Sequence, residues 1–363
     1  MFSTLTVWLK LALSGLLAFA VALLFTPPVK RIAVRIGAID NPDGKRHLHD
    51  HPIPRMGGLA IFLGFVTAVL VFGEINTQIM GLLIGAVIIV AMGAVDDVVN
   101  LPPWVKLGVQ ILAALVAVRS GITINVLSNI NIFSDQPFFH VGFFSYPLTL
   151  LWIVGCTNAV NLIDGLDGLA AGVSAISSVS MLVVALFVAE PTAALLLVAL
   201  AGACLGFLPY NLNPARIFMG DVGSQFLGFV LATVSAMGMF KFHAIITFLV
   251  PVLALSVPLA DTIFAFFRRI LHGQNPFRAD RGHLHYRLLA MGLSQKQTVA
   301  VLYAVSASLG LFGVLLAGPH TVVRIVCLVL VFAISLSVWL LIFHRHPVHK
   351  NEEPPAGPEP EIK

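Results

Sequence analysis

"GLLIGAVIIVAMGAVDD", residues 81–97, is apolar for nearly its whole length and closes on two adjacent aspartates. An apolar helix of about 20 residues is long enough to cross the hydrocarbon core of a bilayer. Stretches of this kind recur from Leu5 to Phe343 with only short polar segments between them. The 363-residue chain is 58% hydrophobic and 10% charged, with a mean hydropathy of +0.96, a composition foreign to soluble globular domains. The reading that follows is an all-α, polytopic membrane helix bundle of about eleven transmembrane helices.

Working outward from residues 81–97, hydropathy predicts spans near 5–26, 57–73, 78–95, 104–119, 146–163, 169–189, 192–210, 225–241, 243–267, 298–317 and 320–343. The first run resembles a signal-peptide core, but Lys30, Arg31 and Arg35 follow it directly and suit the end of a retained helix. Alternate loops collect the Lys and Arg residues, which predicts an N-terminus outside (periplasmic) and a C-terminus inside (cytoplasmic). The net charge of +4 then reflects topology, with no nucleic-acid signature. On the outer side, Gly121 to Ser145 carries alternating β-branched and aromatic residues and predicts a small periplasmic hairpin. Residues 1–346 read as one transmembrane domain and the Pro- and Glu-rich residues 347–363 as a disordered cytoplasmic tail. Cys156, Cys204 and Cys327 lie in apolar stretches without metal-ligand spacing and read as small core residues.

The acids are the informative residues. Asp96 and Asp97 close one apolar run, Asp164 and Asp167 lie in "NAVNLIDGLDGLAAG" (158–172), and Asp221 lies in "NPARIFMGDVGS" (213–224). All five fall at the cytoplasmic ends of predicted spans. Carboxylates gathered at one face repel one another unless a cation sits among them, and hard oxygen donors suit Mg²⁺ or Mn²⁺. Asn158, Asn161, Asp164 and Asp167 recur every three residues and would line one wall while the chain stays helical, with Gly165 and Gly168 letting the backbone turn close to a ligand. A capping role explains one of these acids and leaves the asparagines idle. Asp96 and Asp97, about 100° apart on a helix, are expected to do different jobs.

Arg278, Arg281, His283, His285 and Arg287 crowd the segment Arg268 to Leu289 and could grip a diphosphate through charge-assisted hydrogen bonds. A zinc site on His283 and His285 lacks a third ligand. Asp261, inside a span, needs a polar partner and suits orienting a basic residue. Arg55, beside Gly57 and Gly58, could meet a phosphate at the headgroup level or serve as an orientation anchor.

Together, "PIPRMGG", "AVDDVVNLP", "NAVNLIDGLDGLAAG", "FMGDVGSQFLG" and "ADRGHLHYRL", running through residues 31 to 289, resemble the polyprenyl-phosphate N-acetylhexosamine-1-phosphate transferase family. "PIPRMGG" and the "HLH" loop resemble its undecaprenyl-phosphate N-acetylglucosaminyl branch. Many members of that branch carry a further His where this chain has Tyr286. The resemblance implies a Mg²⁺- or Mn²⁺-dependent enzyme of the bacterial inner membrane. Such an enzyme moves N-acetylglucosamine-1-phosphate from UDP-GlcNAc to undecaprenyl phosphate and releases UMP, as a first step of O-antigen-type lipopolysaccharide synthesis. Another UDP-N-acetylhexosamine, or phospho-MurNAc-pentapeptide, is the alternative donor group, and a homodimer is among the expected partners. Carried over by motif, Asp221 is a metal ligand, Asp96 and Asp97 serve the metal or deprotonate the acceptor, and Asp164 joins them as catalytic. Asn161, Asp164 and Asp167 line the nucleotide pocket, and Arg281, His283 and His285 hold the diphosphate. Direct displacement and an aspartyl intermediate both remain open. From a different class, a secondary transporter would keep its acids near the midplane, where only Asp261 falls.

Overall fold

The computed structural model describes residues 5–41, 51–128, 138–239, 250–271, 283–318 and 321–343. The tail expected at 347–363 and the arginines Arg278 and Arg281 lie outside the described residues. Nearly all the rest is helix, as an apolar chain must be when lipid offers its backbone no hydrogen-bonding partners.

The helices are α1 (Leu5–Ile36), α2 (Gly58–Phe72), α3 (Thr77–Val99), α4 (Pro103–Arg119), α5 (Ser145–Leu162), α6 (Leu169–Phe187), α7 (Pro191–Asn211), α8 (Gly220–Val234), α9 (Ser256–Leu271), α10 (Leu284–Ala290), α11 (Gln295–Ala317) and α12 (Thr321–Phe343). Among the described residues, six helical segments are long and apolar enough to cross a membrane, and Gly58–Phe72 and Thr321–Ser337 are shorter apolar helices. The chain is a polytopic helical membrane protein. The expected hairpin is present: β3 (Val126–Ser128) pairs antiparallel with β4 (Phe138–His140). A second small ladder joins β1 (Ile39–Asp40) to β2 (Ile53–Pro54). The three cysteines are free and buried.

The structure moves two helix ends that matter. α3 runs on to Val99, beyond the expected 95, so Asp96 and Asp97 belong to its last turns. α8 begins at Gly220, ahead of the expected 225, and carries Asp221 in its first turn. Hydropathy windows discount helical turns that hold polar side chains, and these turns are both helical and polar. Side-chain caps fix other boundaries. The Asn76 side chain accepts from the Ile79 amide at the start of α3, and Ser294 and Gln297 form a capping box at the start of α11.

α8 is the hub. From Val222 to Val234 every residue is buried, as befits a helix apolar on most sides and enclosed by α2, α3 and α5. Small residues allow that enclosure, since helices in lipid gain by close backbone approach. A Cβ on Gly58 would stand 2.0 Å from Gly223 Cα, and one on Gly93 2.6 Å from Val222 Cα. The chain before α2 is stitched to the chain before α8 by backbone bonds: the Phe218 amide donates to Pro54 O (2.8 Å), and the Gly57 and Gly58 amides donate to Phe218 O and Met219 O (2.9 Å each). The polar starts of α2 and α8 therefore lie side by side, next to the polar end of α3.

Overpacking a tight contact costs about 1–3 kcal/mol and occasionally more, so Gly58→Ala is expected to lower the melting temperature of the detergent-solubilised protein by several degrees. Gly108→Ala on α4, where an added Cβ meets nothing within 4 Å, is expected to leave it unchanged or raise it; tryptophan-fluorescence melting curves of the two variants check the contrast.

Candidate functional site

The α8 N-terminus is built around a carboxylate from another helix. Asp97 Oδ1 accepts from the Asp221 amide at 2.9 Å and Oδ2 from the Val222 amide at 3.4 Å. First-turn amides have no intrahelical acceptor and carry the positive end of the helix dipole, so an anion belongs there. Gly220 makes the approach possible. Its φ is +70°, and a Cβ would lie 2.2 Å from Asp97 Oδ2.

Asp96, about 100° around α3, does a different job, as its position predicts. Its Oδ1 accepts from the Leu101 amide (2.7 Å), and its Oδ2 meets the Lys106 ammonium at 2.5 Å. Lys106 Nζ also lies 2.9 Å from Asp221 Oδ2, so one ammonium from α4 bridges carboxylates from α3 and α8. Asn161 Nδ2 donates to Asp221 Oδ1 (3.2 Å) and to Ser224 Oγ (2.8 Å). Gln225 Nε2 completes the set, donating to Asp221 Oδ2 at 2.8 Å.

These groups open into a cavity of about 800 Å³ whose wall includes Arg55, Asp97, Asn161, Asp164, Asp167, Asp221 and Tyr286. Four of the five acids expected to converge, Asp97, Asp164, Asp167 and Asp221, line this one cavity, from segments far apart in sequence. Asp96 is off the wall, paired with Lys106. Asp164, in the turn between α5 and α6, has its carboxyl pushed up to about 8 by burial, with the carboxylates of Asp221 and Asp97 adding to the rise. Asp167 Oδ2 accepts from Asn213 Nδ2 (2.9 Å) and the Ala215 amide (3.0 Å) and so shapes the loop before α8. Arg55 is ion-paired with Asp40 across the β1–β2 ladder.

Asn158 is placed apart from the wall. It donates to Gln110 Oε1 (2.7 Å) and to Val154 O (2.8 Å). Asp261 orients a base as expected: its Oδ2 is 2.9 Å from His283 Nδ1, and its Oδ1 accepts from the Leu284 amide at 2.7 Å. His285 stacks beside His283 and packs on Gly165, where a Cβ would stand 2.6 Å from its Nε2. That Nε2 is buried and makes no hydrogen bond. Burial lowers the ring's pKa to about 4, leaving it neutral near pH 7. Neither histidine is on the cavity wall, whereas Tyr286 is. In the sequence Lys106 is one more of the loop Lys and Arg residues, and Gln110 and Gln225 carry no mark. No local pattern marks them, because their partners lie on other helices.

Among the described residues no three His, Cys, Asp or Glu side chains enclose a metal ion by themselves. The oxygen donors on the wall nevertheless suit Mg²⁺, which is held by one or two carboxylates together with substrate phosphates in preference to an all-protein cage.

The pattern of Glycosyl transferase family 4 matches residues 79–239. A probable undecaprenyl-phosphate N-acetylglucosaminyl 1-phosphate transferase of Bacillus subtilis is 40% identical over 298 residues, covering 82% of each chain. The decaprenyl-phosphate N-acetylglucosaminephosphotransferase of Mycobacterium tuberculosis is 36% identical over 330 residues, 81% of this chain and 79% of its own. The undecaprenyl-phosphate alpha-N-acetylglucosaminyl 1-phosphate transferase of Salmonella typhi is 30% identical over 338 residues, 88% of each.

A carboxyl raised in the fold binds its proton more tightly there than when unfolded. It therefore favours the folded state at low pH, and this contribution is lost between about 4 and the folded value of about 8. Metal-free protein is expected to lose melting temperature across that window, and Asp164→Asn to flatten the loss; melting curves in EDTA at pH 5, 6.5 and 8 measure both slopes.

Proposed function

The chain belongs to Glycosyl transferase family 4, the polyprenyl-phosphate N-acetylhexosamine-1-phosphate transferases, and from that premise we propose that it transfers N-acetylglucosamine-1-phosphate from UDP-GlcNAc to undecaprenyl phosphate. The observation that carries the reading is the one cavity onto which α3, the α5–α6 turn and the start of α8 bring Asp97, Asp164, Asp167 and Asp221, with Arg55 on the same wall and Lys106 bridging to Asp221.

In this reaction the bond from the β-phosphorus to the oxygen shared with the α-phosphate breaks, and its electron pair leaves with UMP. The β-phosphorus ends bonded to a phosphate oxygen of the lipid. Donor and acceptor are both anions, so the barrier is largely electrostatic. Lys106 supplies fixed positive charge near the wall, on which Arg55 lies paired with Asp40. Asp164, with its carboxyl near 8, exchanges a proton with the acceptor phosphate near neutral pH. Asn161 and Asp167 line the nucleotide side, and Tyr286 lies against the same space. His283 is fixed by Asp261, and His285, stacked beside it against Gly165, is the second histidine that the family motif offers to the diphosphate. Arg278 and Arg281, outside the described residues, are the further cations that the family motif offers to the diphosphate. Asp221 with Asp97 would hold Mg²⁺, which when bound would neutralise the phosphate oxygens and polarise the reacting phosphorus.

A lipid phosphate sits at the headgroup plane and a nucleotide sugar in the cytosol, so the cavity faces the cytoplasm with the N-terminus outside, in the inner membrane of a bacterium. The product then feeds envelope polysaccharide synthesis.

Purified protein given UDP-GlcNAc, undecaprenyl phosphate and Mg²⁺ is expected to release UMP, and Asp221→Ala to lose that release by roughly a hundredfold or more. UMP release unchanged in the variant would remove Asp221 from the chemistry. Competition by a panel of UDP-N-acetylhexosamines and by UDP-MurNAc-pentapeptide reads the sugar: UDP-GlcNAc is expected to compete best.

A further inference from the structure

Beneath the cavity floor, one helical turn deeper, lies a second polar layer. Lys106, Asn161 and Asp221 form the upper layer on α4, α5 and α8. Gln110 and Gln225, each four residues on, and Asn158, three residues back, form the lower one on the same helices. Gln110 and Gln225 are 2% and 0% exposed. They bond to one another, Gln110 Nε2 donating to Gln225 Oε1 at 2.9 Å. Gln225 donates upward to Asp221 Oδ2 (2.8 Å). Asn158 donates to Gln110 Oε1 (2.7 Å) and anchors on Val154 O (2.8 Å).

The two ends of this chain accept only: a carboxylate above and a main-chain carbonyl below. Gln225 must therefore turn its NH₂ to Asp221 and its carbonyl to Gln110, and Gln110 must turn its NH₂ to Gln225 and its carbonyl to Asn158. Every amide in the series has one satisfied orientation. Side chains of this kind are costly in the middle of a helix bundle, where apolar packing would hold the helices equally well. Their orientation is useful only to the carboxylate at the end.

We propose that Gln110 and Gln225, held by Asn158, are positioning residues that fix the rotation of the Asp221 carboxylate and the register of the three helices that meet around it. The inference rests on reading Asp221 as a group of the transfer chemistry. Gln110 touches no cavity group and acts through Gln225.

The test compares Gln110→Met, Gln225→Met, the double variant and Asp221→Ala in full-length protein. Melting temperature and UMP-release kinetics are measured on each. Gln110→Met keeps the volume but orphans the carbonyl of Gln225, so melting temperature and kcat are both expected to fall, kcat by tenfold or more with KM for UDP-GlcNAc within twofold. The double variant removes both partners and is expected to recover melting temperature while kcat stays low, a divergence that a merely structural role would not produce. A kcat for Gln110→Met within twofold of the unmodified protein overturns the inference, as does recovery of kcat together with melting temperature in the double variant. Full activity in Asp221→Ala overturns instead the reading of Asp221 on which it rests.

Discussion

The Asp97 carboxylate on the first amides of α8 is the interaction on which the rest of the site depends. It ties the end of α3 to the start of α8, and the start of α8 is where the backbone stitches from Gly57 and Gly58 also arrive. An anion at a helix N-terminus is stabilised by unpaired amides and by the dipole together. Asp97 is only 6% exposed, so water competes little for its carboxylate. Gly220 and Gly223 provide the clearance, the first beside the carboxylate and the second against Gly58. Once these contacts form, Asp221 has no choice of place: it projects from the first turn toward Lys106 and Asn161.

The second constraint is charge. Buried ions persist only when paired and hydrogen-bonded, and each acid here has its own solution. Asp97 takes helix amides, Asp96 takes Lys106 and the Leu101 amide, and Asp167 takes a side-chain amide and a backbone amide of the loop before α8. Asp221 accepts from partners on three helices, Lys106 of α4, Asn161 of α5 and Gln225 of α8 itself. The division of labour between Asp96 and Asp97 follows from helix geometry alone, since adjacent positions point to different neighbours.

Much of this was legible in the sequence, and the reason is that lipid simplifies the code. Apolar runs had to be helices, so α2 to α7 appear close to where hydropathy puts them. The acids at the ends of those runs announced a shared face, and Asp261 announced a base in need of orientation. What was hidden was pairing across distance. Lys106 and Asp221 are 115 residues apart, as are Gln110 and Gln225, and nothing local in "NLPPWVKLGVQ" distinguishes a bridging ammonium from a topological anchor. The end of α3 and the start of α8 were hidden for a related reason. A polar turn inside a protein-lined pocket has the hydropathy of a loop and the hydrogen bonds of a helix.

The charge count around the floor explains why the site suits anionic substrates only with help. Asp96, Asp97, Asp164 and Asp221 face one ammonium, that of Lys106, while Arg55 is already paired with Asp40. Protonation of Asp164, favoured by burial and by its acidic neighbours, removes one negative charge and leaves three carboxylates against one cation. A diphosphate entering alone would meet net repulsion at close range, where the low-dielectric surroundings strengthen it. The same excess becomes an asset when positive charge arrives with the nucleotide, because the carboxylates then attract what the phosphates also bind. Fixed donors from Asn161, Gln225 and the α8 amides stay in place throughout. The protein's part in the proposed transfer is thus to keep an over-acidic floor rigid and correctly turned, so that charge brought in by the donor is captured at one position beside the lipid phosphate.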